Sequence, residues 1–278
     1  MRVHPVALSV RNNWRLLSKG SSSGAYNMAL DYALTQAGDE NNILRLYGWN
    51  PRAISIGFHQ SPYIVDIERC KKDGIDIVRR PTGGRAILHD NEVTYSLILR
   101  GGEFNFEEVY SKVHLAIAAA ILKLGIEVNL VDTKPSKGQL NPGSGKSTCF
   151  TSAAKTELEY KGRKIVGSAG RQYKEALLIH GSILLGSEHK DIINYLHLPD
   201  KKRNIVRSAL ASKTSDLTTI LGRRVDAEKM VENLIKSFSN IFQAKFKEYF
   251  LSEETVDKTR EYHNKFDLLY ESSNAEAA

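Results

Sequence analysis

Residues 79–90 read Arg79-Arg80-Pro81-Thr82-Gly83-Gly84-Arg85-Ala86-Ile87-Leu88-His89-Asp90. Arginines, adjacent glycines and a His-Asp pair fall together between two apolar runs. Adjacent glycines let a backbone turn tightly and approach a ligand, because no Cβ intervenes. Flanking arginines suit anionic or carbonyl-rich ligands. A solvated basic turn is the plainer reading of the same residues. His89-Asp90 could form a catalytic pair, but positioning the glycine loop is the favoured role.

Further along, Cys149 closes a Gly/Ser/Lys-rich segment. A lone cysteine is more often a small buried hydrophobe than a nucleophile. Its place outside an apolar run and near lysines that favour a thiolate raises the functional reading. Cys70, among Arg69, Lys71 and Lys72 on an expected helix, reads as structural. Lys164 opens the strand Lys164-Ile165-Val166-Gly167-Ser168-Ala169. By period it is a solvent-facing lysine, yet Gly167 weakens the strand and signals a close approach by ligand or backbone. Such a lysine can act as electrostatic partner or proton carrier. His180-Gly181-Ser182 interrupts the apolar run from Ala176 to Leu185. It is either a satisfied core histidine or part of a pocket wall. The run Gly143-Ser144-Gly145-Lys146-Ser147-Thr148 imitates a phosphate loop, but Leu140 stands where that loop needs glycine, and no helical period follows.

These residues need a scaffold. Trp14–Leu17 reads as a strand, and Ser21 to Ser23 offer caps for a helix whose Ala25, Met28, Ala29, Tyr32 and Ala33 form one buried face, with Gly38 as stop. Ile43–Trp49 and Ala53–Phe58 read as strands around an Asn50-Pro51 turn. A short helix over 66–73 precedes strands at Asp76–Arg80, Ala86–His89 and Val93–Arg100, which places the glycines in an inter-strand loop. A longer helix starts near Asn105 with a capping-box pattern and stops at Gly125. The Pro/Gly/Ser/Lys-rich stretch 132–147 is an expected functional loop. Thr156–Tyr160, Lys164–Ala169 and Ala176–Leu185 read as a three-strand meander, and the remainder as mainly helical, with one helix capped by Asp226 and another by Ser252. Helices and largely antiparallel strands without βαβ regularity argue an α+β fold. The expected organisation is a catalytic domain over residues 10–250, then a C-terminal helix and flexible tail over 251–278.

The 278 residues are 41% hydrophobic and 26% charged, with net charge +7. No run approaches the ~20 apolar residues of a membrane span, and no signal-peptide core is evident, so the expectation is a cytoplasmic protein with no membrane partner. The two cysteines make no disulfide framework, and no Cys/His cluster has zinc spacing. The basic residues are dispersed without interleaved aromatics, which disfavours nucleic acid. The same field would steer an acidic protein partner.

Several blocks together resemble the lipoate-protein ligase and octanoyltransferase family: Ser23–Asp31, Leu46–Trp49, Ser55–Gln60, the glycine loop with His89-Asp90, Gly162–Ala169, and His180–Leu185. The resemblance covers roughly residues 14–190 and the C-terminal part loosely. It implies the mixed, largely antiparallel sheet with packed helices shared by biotin and lipoate ligase catalytic domains. Within the family the chain looks most like the Gram-positive-type octanoyl-acyl carrier protein:protein octanoyltransferases. Gly83-Gly84-Arg85 stands where ligases usually have a third glycine, and Thr148-Cys149-Phe150 matches the transferase nucleophile position. Thr151 departs from the Asp often found there. The resemblance implies Cys149 as nucleophile and Lys164 as its partner. It also implies substrate contacts at Arg79, Arg80, Gly83, Gly84, Arg85, His89, Gly167, Ser168, His180 and Gly181, with backbone N–H groups at 83–84 or 167–168 as oxyanion donors. The implied partners are octanoyl-acyl carrier protein and lipoyl-domain proteins, namely the glycine cleavage H protein or a 2-oxoacid dehydrogenase E2. No metal or cofactor is expected. ATP and magnesium enter only under the alternative, a lipoate ligase acting through lipoyl-AMP.

Overall fold

The computed structural model describes residues 13–38, 40–101, 104–132 and 156–270. Cys149 and the Gly143–Thr148 run therefore lie outside the described residues, as does the tail from Glu271.

The chain opens with β1 (Trp14–Ser22), α1 (Gly24–Gln36), β2 (Asn42–Trp49) and β3 (Ala53–Ile56). A 3-10 turn at Pro62–Ile64 leads into α2 (Ile67–Lys72), β4 (Asp76–Arg79), β5 (Ile87–His89) and β6 (Glu92–Arg100). Then come α3 (Phe106–Leu122), β7 (Asn129–Asp132), β8 (Thr156–Tyr160), β9 (Arg163–Lys164), β10 (Val166–Gln172) and β11 (Ala176–Leu184). A 3-10 segment, Glu188–Tyr195, is followed by α4 (Asp200–Lys213), α5 (Leu217–Leu221), α6 (Ala227–Phe242), β12 (Phe246–Glu248) and α7 (Glu253–Phe266).

The main sheet has six strands in the order β10-β11-β6-β2-β1-β12. It is mixed: β1 runs parallel to β2 and β12, whereas β2, β6, β11 and β10 pair antiparallel in turn. Alternating side chains serve its two faces, as a pleat requires. Leu44, Leu97, Leu99, Leu177 and Ile179 meet α3 and α6 on one side. Ile43, Ile98 and Leu178 meet Leu30 and Leu34 of α1 on the other. Fully buried Phe238 and Leu234 anchor α6, each such side chain contributing about 1.5–3 kcal/mol. A small sheet, β4-β3-β5, carries a second core, and Leu210 of α4 closes over it. The third sheet, β7-β8-β9, is antiparallel.

Local sequence explains most boundaries. Ser23, Asn105, Asp226 and Ser252 each accept a backbone N–H at a helix start. Ser21 and Ser22 belong instead to β1, which outruns the expected strand, and α1 ends before Gly38, at Ala37. Helix α1 buries more than one face. The side bearing Tyr32 lies under α7, where Tyr32 meets Tyr262 and Phe266 edge-on at 4.9 and 5.4 Å, and Asn27 and Asp31 are buried on another side, against Arg45 of β2. The expected meander is divided. Lys164 pairs with Glu159 in the third sheet, and from Val166 the strand pairs with β11 in the main sheet. The chain thus changes sheet at Ile165, whose N–H donates to Leu158 and whose carbonyl accepts from Leu184. β12 is a strand in the part of the chain read as mainly helical. No described helix is long and apolar enough to cross a membrane.

Candidate active site

Three sequence blocks meet side by side at the β10 end of the main sheet. His180, Gly181 and Ser182 of β11 oppose Ser96, Tyr95 and Thr94 of β6, and on the other flank Ala169, Ser168 and Gly167 of β10. A Cβ on Gly181 would stand 2.3 Å from the Gly167 carbonyl oxygen and 2.9 Å from both Ser168 Oγ and the Tyr95 ring. Glycine there lets the strands close around a cavity of about 30 Å³. Its walls include Trp49, Arg80, His89, Gly167, Ser168, His180 and Gly181.

The glycine loop reaches this cavity through its second arginine. Arg80 donates to the carbonyls of Gly83 (3.0 and 2.9 Å), Arg85 (2.8 Å) and Ser55 (3.1 Å), folding the loop back on its own strand. Arg79 turns away and donates to the carbonyls of Phe58 and Gln60 at 3.1 and 2.7 Å. Gly84 takes a φ of 98°, in the region that favours glycine. Its carbonyl oxygen would lie 2.0 Å from a Cβ at Gly57, so the two backbones are in direct contact.

Two buried histidines fix the floor. His180 bridges Asp31 Oδ2 (3.1 Å, through Nδ1) and Thr82 Oγ1 (2.6 Å, through Nε2). Burial pushes the His180 pKa down against the pull of Asp31, and Arg80 adds to the shift. A neutral ring that donates from Nδ1 to the carboxylate accepts the Thr82 hydroxyl proton at Nε2. Asp31 also faces Arg45 Nη1 at 2.6 Å. Burial raises its pKa, but Arg45 and His180 outweigh that, and the carboxyl sits below its ordinary value. The second histidine, His89, lies flat on Trp49, with ring centroids 3.9 Å apart. It contacts Ser55 Oγ at 2.7 Å and Glu92 Oε1 at 2.8 Å. For Glu92 too, burial acts upward, while His89, Ser182 and Thr94 together hold the carboxylate ionised. His89 is thus joined to Arg80 of the glycine loop through Ser55, which both contact.

Lys164 does not line the cavity. It is buried in β9 with its ammonium 2.7 Å from Glu157 Oε1. His114 of α3 links it to the cavity wall. Burial, with the Lys164 charge adding, pushes that histidine down to about 3. His114 Nε2 is 2.9 Å from Ser168 Oγ, which also accepts the Tyr95 hydroxyl at 2.6 Å. Tyr110 donates to the Ser168 carbonyl at 3.2 Å.

Of the residues singled out from sequence, Arg80, His89, Gly167, Ser168, His180 and Gly181 line one cavity. Arg79, Gly83, Gly84, Arg85 and Lys164 do not line it, and Cys149 lies outside the described residues. Cys70 is fully buried and its thiol is pushed up to about 12, chiefly by burial. The residues missed are Asp31, Arg45, Ser55, Glu92, Tyr95 and His114. Their one signal is a polar group at a position whose neighbours in the pattern are apolar, such as Asp31 three residues after Met28 on α1.

The model of the lipoyl protein ligase A/B catalytic domain matches residues 23–239. An octanoyltransferase LipM from Kyrpidia tusciae is 34% identical over 241 residues, covering 84% of this chain and 88% of that protein. The octanoyltransferase LipM of Bacillus subtilis is 32% identical over 259 residues, covering 89% and 92%. Among solved structures, the bipartite lipoate protein ligase from Thermoplasma acidophilum, described with its E2 lipoyl domain, superposes with a TM-score of 0.73 at 24% identity, covering 92% of this chain and 93% of that one. A lipoate-protein ligase A bound with ATP gives 0.72 at 23%, covering 91% and 94%. The two structures share the fold, and the two LipM proteins are about a third identical over most of the chain. The chain therefore belongs to the lipoyl protein ligase A/B catalytic-domain family and, with the octanoyltransferases, is a transferase enzyme.

Proposed function

We propose that the chain moves an octanoyl group from octanoyl-acyl carrier protein, through a thioester on Cys149, to the lysine of a lipoyl-domain protein such as the glycine cleavage H protein or an E2 subunit. The observation that carries this reading is the buried Lys164 ammonium, held on Glu157 at 2.7 Å. Glu157 follows Cys149 by eight residues, in a chain that matches octanoyltransferases along most of its length.

In the first step the Cys149 thiolate attacks the thioester carbonyl, and the carrier thiolate leaves with a proton from Lys164. Splitting the transfer in this way lowers each barrier. A free thiol titrates near ~8.5, and a nearby ammonium favours its thiolate. In the second step the acceptor lysine attacks as the free amine. It passes its surplus proton to the now neutral Lys164, and the Cys149 thiolate departs. Backbone N–H groups of Gly167 and Ser168, on the edge strand β10, or of Gly83 and Gly84 are the candidates for holding the oxyanion. Met28, Trp49 and Ile87 supply an apolar wall for the acyl chain, each buried CH₂ contributing about 0.8 kcal/mol. A cavity of about 30 Å³ has room for roughly one water, so the acyl chain must part these side chains as it enters. The chemistry needs neither ATP nor a metal.

Intact-mass analysis after mixing with octanoyl-carrier protein, without ATP, tests the reading. One octanoyl mass should be added, neutral hydroxylamine should remove it, and Cys149→Ala should abolish both adduct and transfer while Cys70→Ala preserves them. Full activity in Cys149→Ala, or an absolute need for ATP, would replace this mechanism by that of an adenylate-forming ligase.

A further inference from the structure

Helix α4 differs from the other long surface helices in its charge. It carries Lys201, Lys202, Arg203, Arg207 and Lys213 against Asp200 alone. α6 balances Lys229 and Lys236 with Glu228 and Glu232, and α7 sets Lys258, Arg260 and Lys265 against Glu253, Glu254, Asp257 and Glu261. Those two helices pair charges along themselves, as in Lys229–Glu232 at 3.1 Å and Lys258–Glu254 at 2.7 Å. On α4 Arg207 donates to Asn204 Oδ1 at 3.0 Å, and Arg203 is the cation that meets a carboxylate. It reaches Asp200 at 4.0 Å and donates to the carbonyls of Ile193 and Leu198. Lys201, Lys202, Arg207 and Lys213 are exposed and have no carboxylate within ion-pair distance among the described residues. Amid them Ile205 is 61% exposed, although Val206 and Leu210 of the same helix turn inward to the small-sheet core.

This helix ends at the candidate active site. Thr214, the residue after α4, bridges Lys164 in parallel, and Ser215 N donates to the Lys164 carbonyl. The bridge sets Lys213 beside Arg163, which is exposed, as is Lys161 in the β8–β9 turn. A track of cations therefore runs from Lys161 and Arg163 through Lys213 to Lys202 and Lys201, about 18 Å along α4 at 1.5 Å per helical residue, with Ile205 on the same side and Arg207, six residues from both Lys201 and Lys213, turned to the other.

We propose that this face of α4, with the β8–β9 turn, is the dock for the acidic protein that delivers the acyl thioester. The inference rests on the octanoyltransferase reading and adds where the donor binds. Charge complementarity requires an acidic surface, and Ile205 calls for an apolar residue within it. Reach separates donor from acceptor. The acceptor's nucleophile sits on a four-carbon lysine stem, so its domain must lie directly over Lys164. A track extending about 18 Å from Lys164 suits a partner whose thioester hangs on a longer arm.

The test is the pair Lys201→Glu/Lys202→Glu in the full chain. Both residues lie in the first turn of α4, where a carboxylate suits the helix dipole, so the helix is not weakened. The control is Lys236→Glu/Lys245→Glu, the same charge change at exposed sites elsewhere. We expect at least a tenfold rise in KM for octanoyl-carrier protein, a shallower salt dependence, and kcat within twofold. Acyl-enzyme formation from a small octanoyl thioester should be unchanged, as should KM for the lipoyl-domain acceptor. The control should move none of these by more than about twofold. An unchanged carrier KM overturns the dock, and so does a loss equal in control and test. A rise confined to the acceptor KM assigns the track to the lipoyl domain instead. If the unaltered protein takes acyl from neither the carrier nor the small thioester, the octanoyltransferase reading itself has failed.

Discussion

The two ends of the cavity are built differently. At the His180 end, His180 and Asp31 are both answered by partners. The ring uses both nitrogens, and Asp31 faces His180, Arg45 and Tyr47 together. Thr82 of the glycine loop, α1 and β11 are thereby joined through partners far apart in sequence. At the Lys164 end, one ammonium and one carboxylate are buried together, and His114 Nδ1 has no hydrogen-bond partner among the described residues. The first end holds a shape. The second has spare hydrogen-bonding capacity beside a charge that the proposed chemistry must move. An arrangement of this kind separates the frame of an active site from its working groups, and the two should fail in different ways when altered.

The widest split should come from Lys164. Lys164→Ala is expected to lower transfer by about 10²–10⁴, the usual range for losing a positioned proton carrier. Lys164→Arg keeps a cation but does not release a proton, so it should form some acyl-enzyme from the carrier and fail to pass the acyl group on. Single-turnover mass analysis reads the two half-reactions separately. Unchanged half-reactions in Lys164→Ala would make the two ends equivalent and Lys164 an ordinary structural lysine. Arg45→Met should act on the frame. It strips the counter-charge from fully buried Asp31, and breaking such a pair costs about 3–5 kcal/mol. Urea unfolding measures that loss, and a shift below 1 kcal/mol would contradict the account of the His180 end.

The smallest effect concerns pH. His114 titrates at about 3 in the folded protein, chiefly because it is buried, against ~6.5 for a free histidine. Below about pH 6.5 the unfolded chain gains a proton that the folded chain refuses. Stability from this group is therefore full above that pH and falls as the pH drops toward the folded value, by about 2 kcal/mol at pH 5 at 1.4 kcal/mol per unit. His114→Gln should flatten that limb. His180 contributes to the same limb, so His114→Gln should not abolish it. The depressed pKa of Asp31 acts lower, through stability present above about 3.9 and lost as its own folded value is passed. Equal slopes for His114→Gln and the parent protein between pH 6.5 and 5 would show that the Lys164 end is wetter than it is drawn.

What sequence could show depended on whether the cause was local. Capping residues such as Asn105 and Asp226 announced their helices because the cap and the first turn are adjacent. β12 was silent: Phe246-Lys247-Glu248 is three residues, one of them apolar, and exists as a strand because β1 offers it an edge. The break at Ile165 was equally hidden, since periodicity does not say which sheet a strand joins. Within the site, the glycine loop, the Lys164 strand and His180-Gly181 stood out by residue type, and six of those residues line one cavity. Asp31, Glu92 and His114 did not stand out. Each matters through a partner brought by the fold, not through its sequence neighbours.

The contact between Gly57 and Gly84 makes the glycine loop a lock with two halves, only one of which a motif search would see. In a library with every residue tried at each position, 57 should accept glycine alone, because any side chain meets backbone at 2.0 Å. Position 84 should be nearly as strict, given its φ of 98°. Position 83, where a Cβ would meet nothing within 4 Å, should be permissive. The most mutable residue of the loop is thus one of its paired glycines, and its strictest determinant lies outside the loop altogether.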